Sequence, residues 1–258
     1  TSTHYTGIDS MSTDTAAAAL AVPPFPYKTT YIETTPQGFL ANLTNDDVFN
    51  TLVEEKRNDQ HPFPTEIVIG PAAYRTVHIV TDLFTEDARI RAHLHGQLSP
   101  WAYWTLNHAS LAKKAQALFP DYPLDNYGLR FALSQSAKEA TNFSPVLSRK
   151  IYDLFLPPEG GRVLDPFSGW GDRSIGALAS QRVLSYDGVD CNTALVPGYT
   201  RLTQELDATH KIQFHITPWQ CFVAPRRDYD LIFTSPPYFA FEIYSPEPTQ
   251  SCAGQAPY

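Results

Sequence analysis

The sequence has no apolar run of about 20 residues, the length that a bilayer-spanning helix requires. It therefore offers no membrane span. Cysteine is scarce: Cys191, Cys221 and Cys252 stand far apart and form no CxxC pair. That spacing gives no zinc signature and fits a reducing, intracellular compartment, cytoplasm or nucleoid/nucleus. Positive charge is scarce too. The chain has 19 Lys and Arg against 27 Asp and Glu, a formal net charge of -8. A free-standing nucleic-acid binder usually carries a basic face, so this balance disfavours strong non-specific DNA affinity while leaving room for a local basic groove. No internal repeat is visible. The apolar stretch 16–22 lacks a basic flank and is not read as a signal peptide.

What is present is a globular composition, 43% hydrophobic and 18% charged over 258 residues, enough for one large domain or two small ones. The 22 prolines cluster near both ends and in the middle, which predicts long irregular segments beside a packed core. Residues 1–30, ending in VPPFPY, read as an extended arm. Residues 31–141 read as a mixed, mostly helical region. In it TTYIETT and TEIVIG suggest short strands, and DDVFNTLVEEKR suggests a helix capped by Asn45 or Asp46. TDLFTEDARIRAHL has apolar residues at three- and four-residue spacing, and SPWAYWTLNHASLAKKAQALF opens with Ser99 as N-cap and Pro100 in the first turn. After a proline-rich break, NFSPVLSRKIYDLF starts another helix with Ser144-Pro145.

From Arg162 the pattern alternates. RVLDPF, LSYDGVD, KIQFHI and DYDLIFT read as strands; SIGALAS and TALVPGYTRLTQEL read as helices between them. Such alternation predicts an α/β fold with a parallel, doubly wound sheet. Ligands in such folds bind at the carboxyl edge of the sheet. The first strand runs there into Asp165-Pro166-Phe167-Ser168-Gly169-Trp170-Gly171-Asp172, whose glycines let backbone approach a ligand closely. The dinucleotide fingerprint GxGxxG is incomplete, because Gly176 is displaced from the third place. A nucleoside with an amino-acid tail therefore suits the turn better than NAD; an ordinary glycine turn is the plain alternative.

The second strand ends in Asp190, about 20 residues past the glycines, where a carboxylate suits a ribose diol. Asp190 or Asn192 also suits the N-cap of the next helix. The fourth strand delivers Ser235-Pro236-Pro237-Tyr238. The prolines fix carbonyl and hydroxyl acceptors rigidly and remove competing N–H groups, and Tyr238 adds a flat face. That combination suits a planar amine held toward an electrophile, a positioning device rather than proton chemistry. A structural Pro-Pro turn is the competing reading.

Together DPFSGWGD, GVD and TSPPY resemble the S-adenosylmethionine-dependent amino-methyltransferases of nucleic-acid bases. NFSP resembles a further motif of that family, and the stretches LFTEDARIRAHL and SPWAYW more weakly resemble phage-type members. The resemblance spans 142–245 and implies a Rossmann-like methyltransferase core there, followed by an irregular tail, 246–258. It implies that Asn142, Phe143, Ser144 and Pro145 close over the methionine end of the cofactor. Asp165, Phe167, Gly169 and Gly171 would line that end, Asp190 would bind the ribose hydroxyls, and Trp219 or Gln220 would contact the adenine. Ser235, Pro236, Pro237 and Tyr238 would hold the target amine. The SPPY form is more typical of members acting on cytosine than on adenine. DNA as substrate would present a single-stranded or flipped base.

A full member of this family continues its sheet after the SPPY motif, whereas here PEPTQSCAGQAPY follows Ser245. The sheet thus reads as incomplete at its C-terminal side. Three expectations follow: a partner chain completes the sheet, the strands YIETT and TEIVIG complete it in permuted order, or the chain is an inactive, methyltransferase-like subunit with a structural or binding role. A glutamine-amide target is a further alternative, though such relatives carry NPPY. Lys113-Lys114, Arg149-Lys150 and Arg226-Arg227 read as solvated surface, and His93 and His95, two apart on an expected helix, read as no metal pair.

Overall fold

The computed structural model describes residues 22–30, 33–60, 62–71, 80–239 and 241–249. Most of the N-terminal arm, Tyr31 and Ile32 of the expected strand TTYIETT, and Cys252 lie outside the described residues. The described part of that stretch forms no strand: Lys28–Thr30 is a 3-10 turn and Thr35 is a helix cap.

Helix α1 (Pro36–Thr44) starts where the Thr35 hydroxyl accepts from Gly38 N–H, and α2 (Asp46–Leu52) where the Asn45 side chain accepts from Val48 N–H. Here the structure corrects the sequence reading. The helix does not continue through Arg57; Val53–Lys56 is strand β1, paired antiparallel with β2 (Glu66–Ile69). Continuing the helix would put Glu54 and Glu55 at its negative end, an unfavourable place for carboxylates. The hairpin instead pairs Lys56 with Glu66 at 2.8 Å. Because β1 and β2 form their own two-stranded sheet, TEIVIG does not complete the parallel sheet.

Helix α3 (Asp82–Arg89) is also shorter than its periodicity suggests. The chain leaves it at Ile90, and His93–Leu94 becomes strand β3. His93 therefore lies on a strand, not a helix. Helix α4 (Pro100–Leu118) begins as expected with the Ser99 hydroxyl accepting from Ala102 N–H. Helix α5 (Asn126–Ser134) lies within the proline-rich break that the sequence suggests; the Asp125 carboxylate caps it through Gly128 N–H at 2.8 Å. Helix α6 (Pro145–Phe155) is capped by Ser144.

The alternating region follows: β4 (Gly161–Asp165), α7 (Asp172–Ala179), β5 (Val183–Asp190), α8 (Val196–Glu205), β6 (Ile212–Ile216), β7 (Leu231–Ile232) and β8 (Glu242–Ile243). Strands β6-β5-β4-β7 form one parallel sheet in that order, so the chain is α/β. The β6–β7 connection carries only a 3-10 turn, Trp219–Cys221, and β8 leaves the parallel sheet to pair antiparallel with β3. Among the described residues no helix is long and apolar enough to cross a membrane.

One apolar core joins Phe39, Leu43, Phe49 and Leu52 of α1 and α2 to Val163, Ile175, Val183, Tyr186 and Ile212 of the alternating region. A second gathers Trp104, Leu111 and Leu133 around Phe25, so the described end of the arm packs on the chain's own helices. Trp104 Nε1–H also donates to Pro23 O at 3.0 Å. Beside this core lies a buried ionic network. Arg89 bonds Asp82 and Glu139, Arg130 reaches Glu86 and Glu139, and Lys28 reaches Asp82 at 2.6 Å. Three cations meet three carboxylates, which meets the requirement that buried charge be paired. Arg149, expected at the surface, is buried beneath α2, where it pairs with Asp46 and caps the Leu43 carbonyl.

Candidate functional site

Beyond β4 the chain enters the turn 166–171. Gly169 (φ +58°) and Gly171 (φ +97°) both adopt the left-handed conformation that glycine enters without strain. Gly169 N–H donates to the Asp190 carboxylate at 2.9 Å, so the turn is tied to the end of β5. Tyr199 of α8 braces it from below, its hydroxyl donating to Gly169 O while its ring stacks on Phe214 at 3.7 Å. Thr234, two residues beyond β7, accepts from Phe167 N–H at 3.1 Å and donates to Asp165 at 2.7 Å. That side chain clips the Ser-Pro-Pro-Tyr segment to the glycine turn, as the pairing of β7 with β4 requires.

The result is a cleft of about 320 Å³ at the carboxyl edge of the sheet. Asn142, Phe143, Phe167, Gly169, Asp190 and all four of Ser235, Pro236, Pro237 and Tyr238 line it, and so do both Trp219 and Gln220. Four other expected residues do not line it. Asp165 is fully buried, with Arg173 Nε at 2.7 Å, the Tyr186 hydroxyl at 2.5 Å and Thr234 holding its oxygens. It is an anchor joining β4, α7, β5 and β7. Ser144 and Pro145 are the cap and first residue of α6, spent on starting that helix. Gly171 faces Leu202 and Tyr199 instead of the cleft.

Residues not singled out from sequence also line the cleft, among them Thr141, Trp170, Asp172, Thr217, Glu242, Tyr244 and Thr249. Asp172 was readable as the first helical residue after the glycine turn. Tyr244 and Thr249 carried no local signal. They reach the cleft because β8 pairs with β3, which brings the tail back across the turn. Tyr244 then packs edge-on to Trp170 at 6.0 Å, Glu247 accepts from Thr193 N–H at 3.2 Å, and Cys191 Sγ–H donates to Thr249 O at 3.4 Å.

The electrostatics are one-sided. Asp172, Asp190 and Glu242 line the cleft, and among the described residues none forms an ion pair. Among the described residues the one cation on its wall, Arg173, is bound to Asp165. Burial pushes the Asp190 carboxyl up to about 6, against the opposing pull of the Asn192 and Gly169 N–H groups. Burial likewise raises Asp172 to about 6; hydrogen bonds from Thr81 and Asn142 oppose the rise and the neighbouring Asp82 carboxylate adds to it. Asn192, rather than Asp190, caps the next turn, through Ala194 N–H at 3.0 Å. At the mouth, Tyr238 is 54% exposed and its hydroxyl meets Ser235 Oγ at 3.2 Å. The Phe167 and Trp219 rings, both on the cleft wall, approach one another at 6.4 Å. Among the described residues there is no cluster of ligands suited to a metal ion.

Such a cleft suits a flat, partly apolar ligand that carries positive charge, and it repels phosphate. Comparison of the chain with protein-family models, with curated proteins and with solved structures finds no match in any of the three.

Proposed function

We propose that the chain binds S-adenosyl-L-methionine and methylates an exocyclic amine of a nucleic-acid base, cytosine in preference to adenine. One observation carries the reading: the glycine turn, Asp190 and the Ser-Pro-Pro-Tyr segment line one cleft whose carboxylates form no ion pair among the described residues. The donor set fits the cofactor. Asp190 keeps acceptor capacity for a ribose diol beyond its two backbone N–H partners. Phe167 and Trp219 offer apolar faces for an adenine, and the acidic wall suits a molecule bearing a sulfonium and an ammonium. The cofactor supplies an electrophilic methyl group.

The chain's own residues hold the amine. Pro236 and Pro237 present carbonyl acceptors with no competing N–H, and Tyr238 supplies a face on which the base stacks. Fixing the amine nitrogen toward its electrophile is where positioning contributes most of the rate. The base enters unpaired, since its amine is otherwise in a Watson–Crick bond. The test is calorimetry with S-adenosylmethionine followed by methyl transfer to single-stranded DNA. Tyr238→Ala should abolish transfer and leave cofactor binding within about twofold, a small change beside the tenfold that 1.4 kcal/mol represents. Absence of cofactor binding by the full chain refutes the reading.

A second reading, a methyltransferase-like subunit in a larger assembly, has its own observation. Edge strand β7 leaves Ile232 64% exposed, with Val223, Phe239 and Phe241 also exposed. Open edges and apolar patches of this kind favour association. A monodisperse monomer in analytical ultracentrifugation counts against that reading.

A further inference from the structure

We propose that Asp172 is the counter-charge for the ammonium at the amino-acid end of the ligand, the end that the resemblance would have Asp165 line. The inference rests on the cofactor reading above. Asp165 has no capacity for it, since its oxygens are taken by Arg173, Tyr186 and Thr234 and it is shut off from the cleft.

Asp172 is the reverse case. It is 2% exposed, the first residue of α7, and part of the cleft wall. Its partners are neutral donors: the Thr81 hydroxyl at 2.5 Å, and the Asn142 amide at 3.4 Å to each oxygen. Among the described residues no Lys, Arg or His forms an ion pair with it. Arg173, next in sequence, is turned to Asp165, and the neighbouring Asp82 is a like charge already held by Arg89 and Lys28. A buried carboxylate whose hydrogen bonds among the described residues come from neutral donors keeps much of its desolvation penalty, which the nearby Arg173 charge offsets in part. Its acidity, weakened to about 6, is what that penalty produces. A cation arriving from the cleft relieves it.

The two carboxylates flank the glycine turn. Asp190 closes β5 and is tied to Gly169, while Asp172 opens α7 beyond Gly171. A ligand with a diol at one end and an ammonium at the other matches that pair. Thr81 and Asn142 are positioning residues: they hold the Asp172 carboxylate without neutralising it. The same charge would reject ligands that carry only a carboxylate or a phosphate at this end.

The test titrates three probes into the full chain by calorimetry: S-adenosylhomocysteine, its deaminated analogue that keeps the carboxylate, and methylthioadenosine, which lacks the amino-acid end. A hydrogen bond to a charged group corresponds to about 10- to 100-fold in affinity. The wild-type chain should bind the deaminated analogue weaker than S-adenosylhomocysteine by about that factor. Asp172→Asn should weaken S-adenosylhomocysteine comparably while changing methylthioadenosine by less than about twofold, and Asp172→Glu should recover part of the loss. Equal weakening of all three probes, or unchanged S-adenosylhomocysteine affinity, overturns the assignment. Should Asp172→Asn not fold, the wild-type series and Asp172→Glu decide: equal wild-type affinity for the first two probes refutes it. Binding of methylthioadenosine without any gain from the amino-acid end defeats this inference and leaves a nucleoside site standing. Binding of none of the three defeats the cofactor reading, and this inference with it.

Discussion

Replacing Gly176 with alanine sets two effects against each other. The residue sits inside α7, where intrinsic preference favours alanine over glycine by about 1 kcal/mol. Yet a Cβ there would stand 2.5 Å from Ser148 Cβ, 2.8 Å from Arg149 N and 2.8 Å from Pro145 O. Two of these three atoms are backbone of α6, so no rotamer change relieves the clash. Carbon atoms in contact prefer about 3.5–4.0 Å, so the two helices must part by about 1 Å. Overpacking of this kind costs about 1–3 kcal/mol, and the upper end applies because the obstruction is main chain. After subtracting the propensity gain, Gly176→Ala should destabilise the fold by about 2 kcal/mol. Urea denaturation measures this as a lower midpoint at unchanged slope. Parting α6 from α7 also moves Asn142 and Phe143, just ahead of α6, away from Asp172, so ligand affinity should fall as well. A variant as stable as wild type, or more stable, would refute the claim that Gly176 is there for helix contact.

Asp172 makes a pH-dependent prediction. Its carboxyl is raised from 3.8 to about 6 in the folded chain, so its favourable contribution is full below pH 3.8 and is lost as pH rises through 6. Asp172→Asn does not ionise and should gain on wild type by up to about 3 kcal/mol between pH 4 and pH 8; ligand-free thermal melts at the two pH values check this, and a constant difference would contradict it. Arg89→Ala removes the cation between Asp82 and Glu139, leaves Asp82 to Lys28 and Glu139 to Arg130, and should destabilise by about 1.5–3 kcal/mol, the cost of losing hydrogen bonds to charged groups. Urea titration reads that loss, and a change below 1 kcal/mol would mean that the network is solvated.

Much of the local architecture was legible because its causes are local. Ser99-Pro100 and Ser144-Pro145 start helices because a hydroxyl reaches an N–H two or three residues on, whatever the rest of the chain does. The alternation from 161 to 216 follows from side-chain periodicity. Local preference failed where a remote partner outweighed it. Val53–Lys56 left a helical pattern to pair with β2, and His93–Leu94 left one to pair with a strand about 150 residues later. Helix α5 was hidden behind the proline-rich break, although Asp125 signals its start.

The candidate site divides the same way. Sequence by itself determined the glycine turn, the acid that ends β5 and the Ser-Pro-Pro-Tyr segment, since each is a short motif that follows a strand. Only the tertiary structure decided which acids face the cleft. Asp165 and Asp172 stand seven positions apart on one motif, yet Arg173, Tyr186 and Thr234 enclose the first, and Thr81 and Asn142 leave the second on the cleft wall. Whether a carboxylate holds the fold or serves a ligand depends on which donors reach it. Those donors come from segments up to 91 residues away, brought together only when the chain folds.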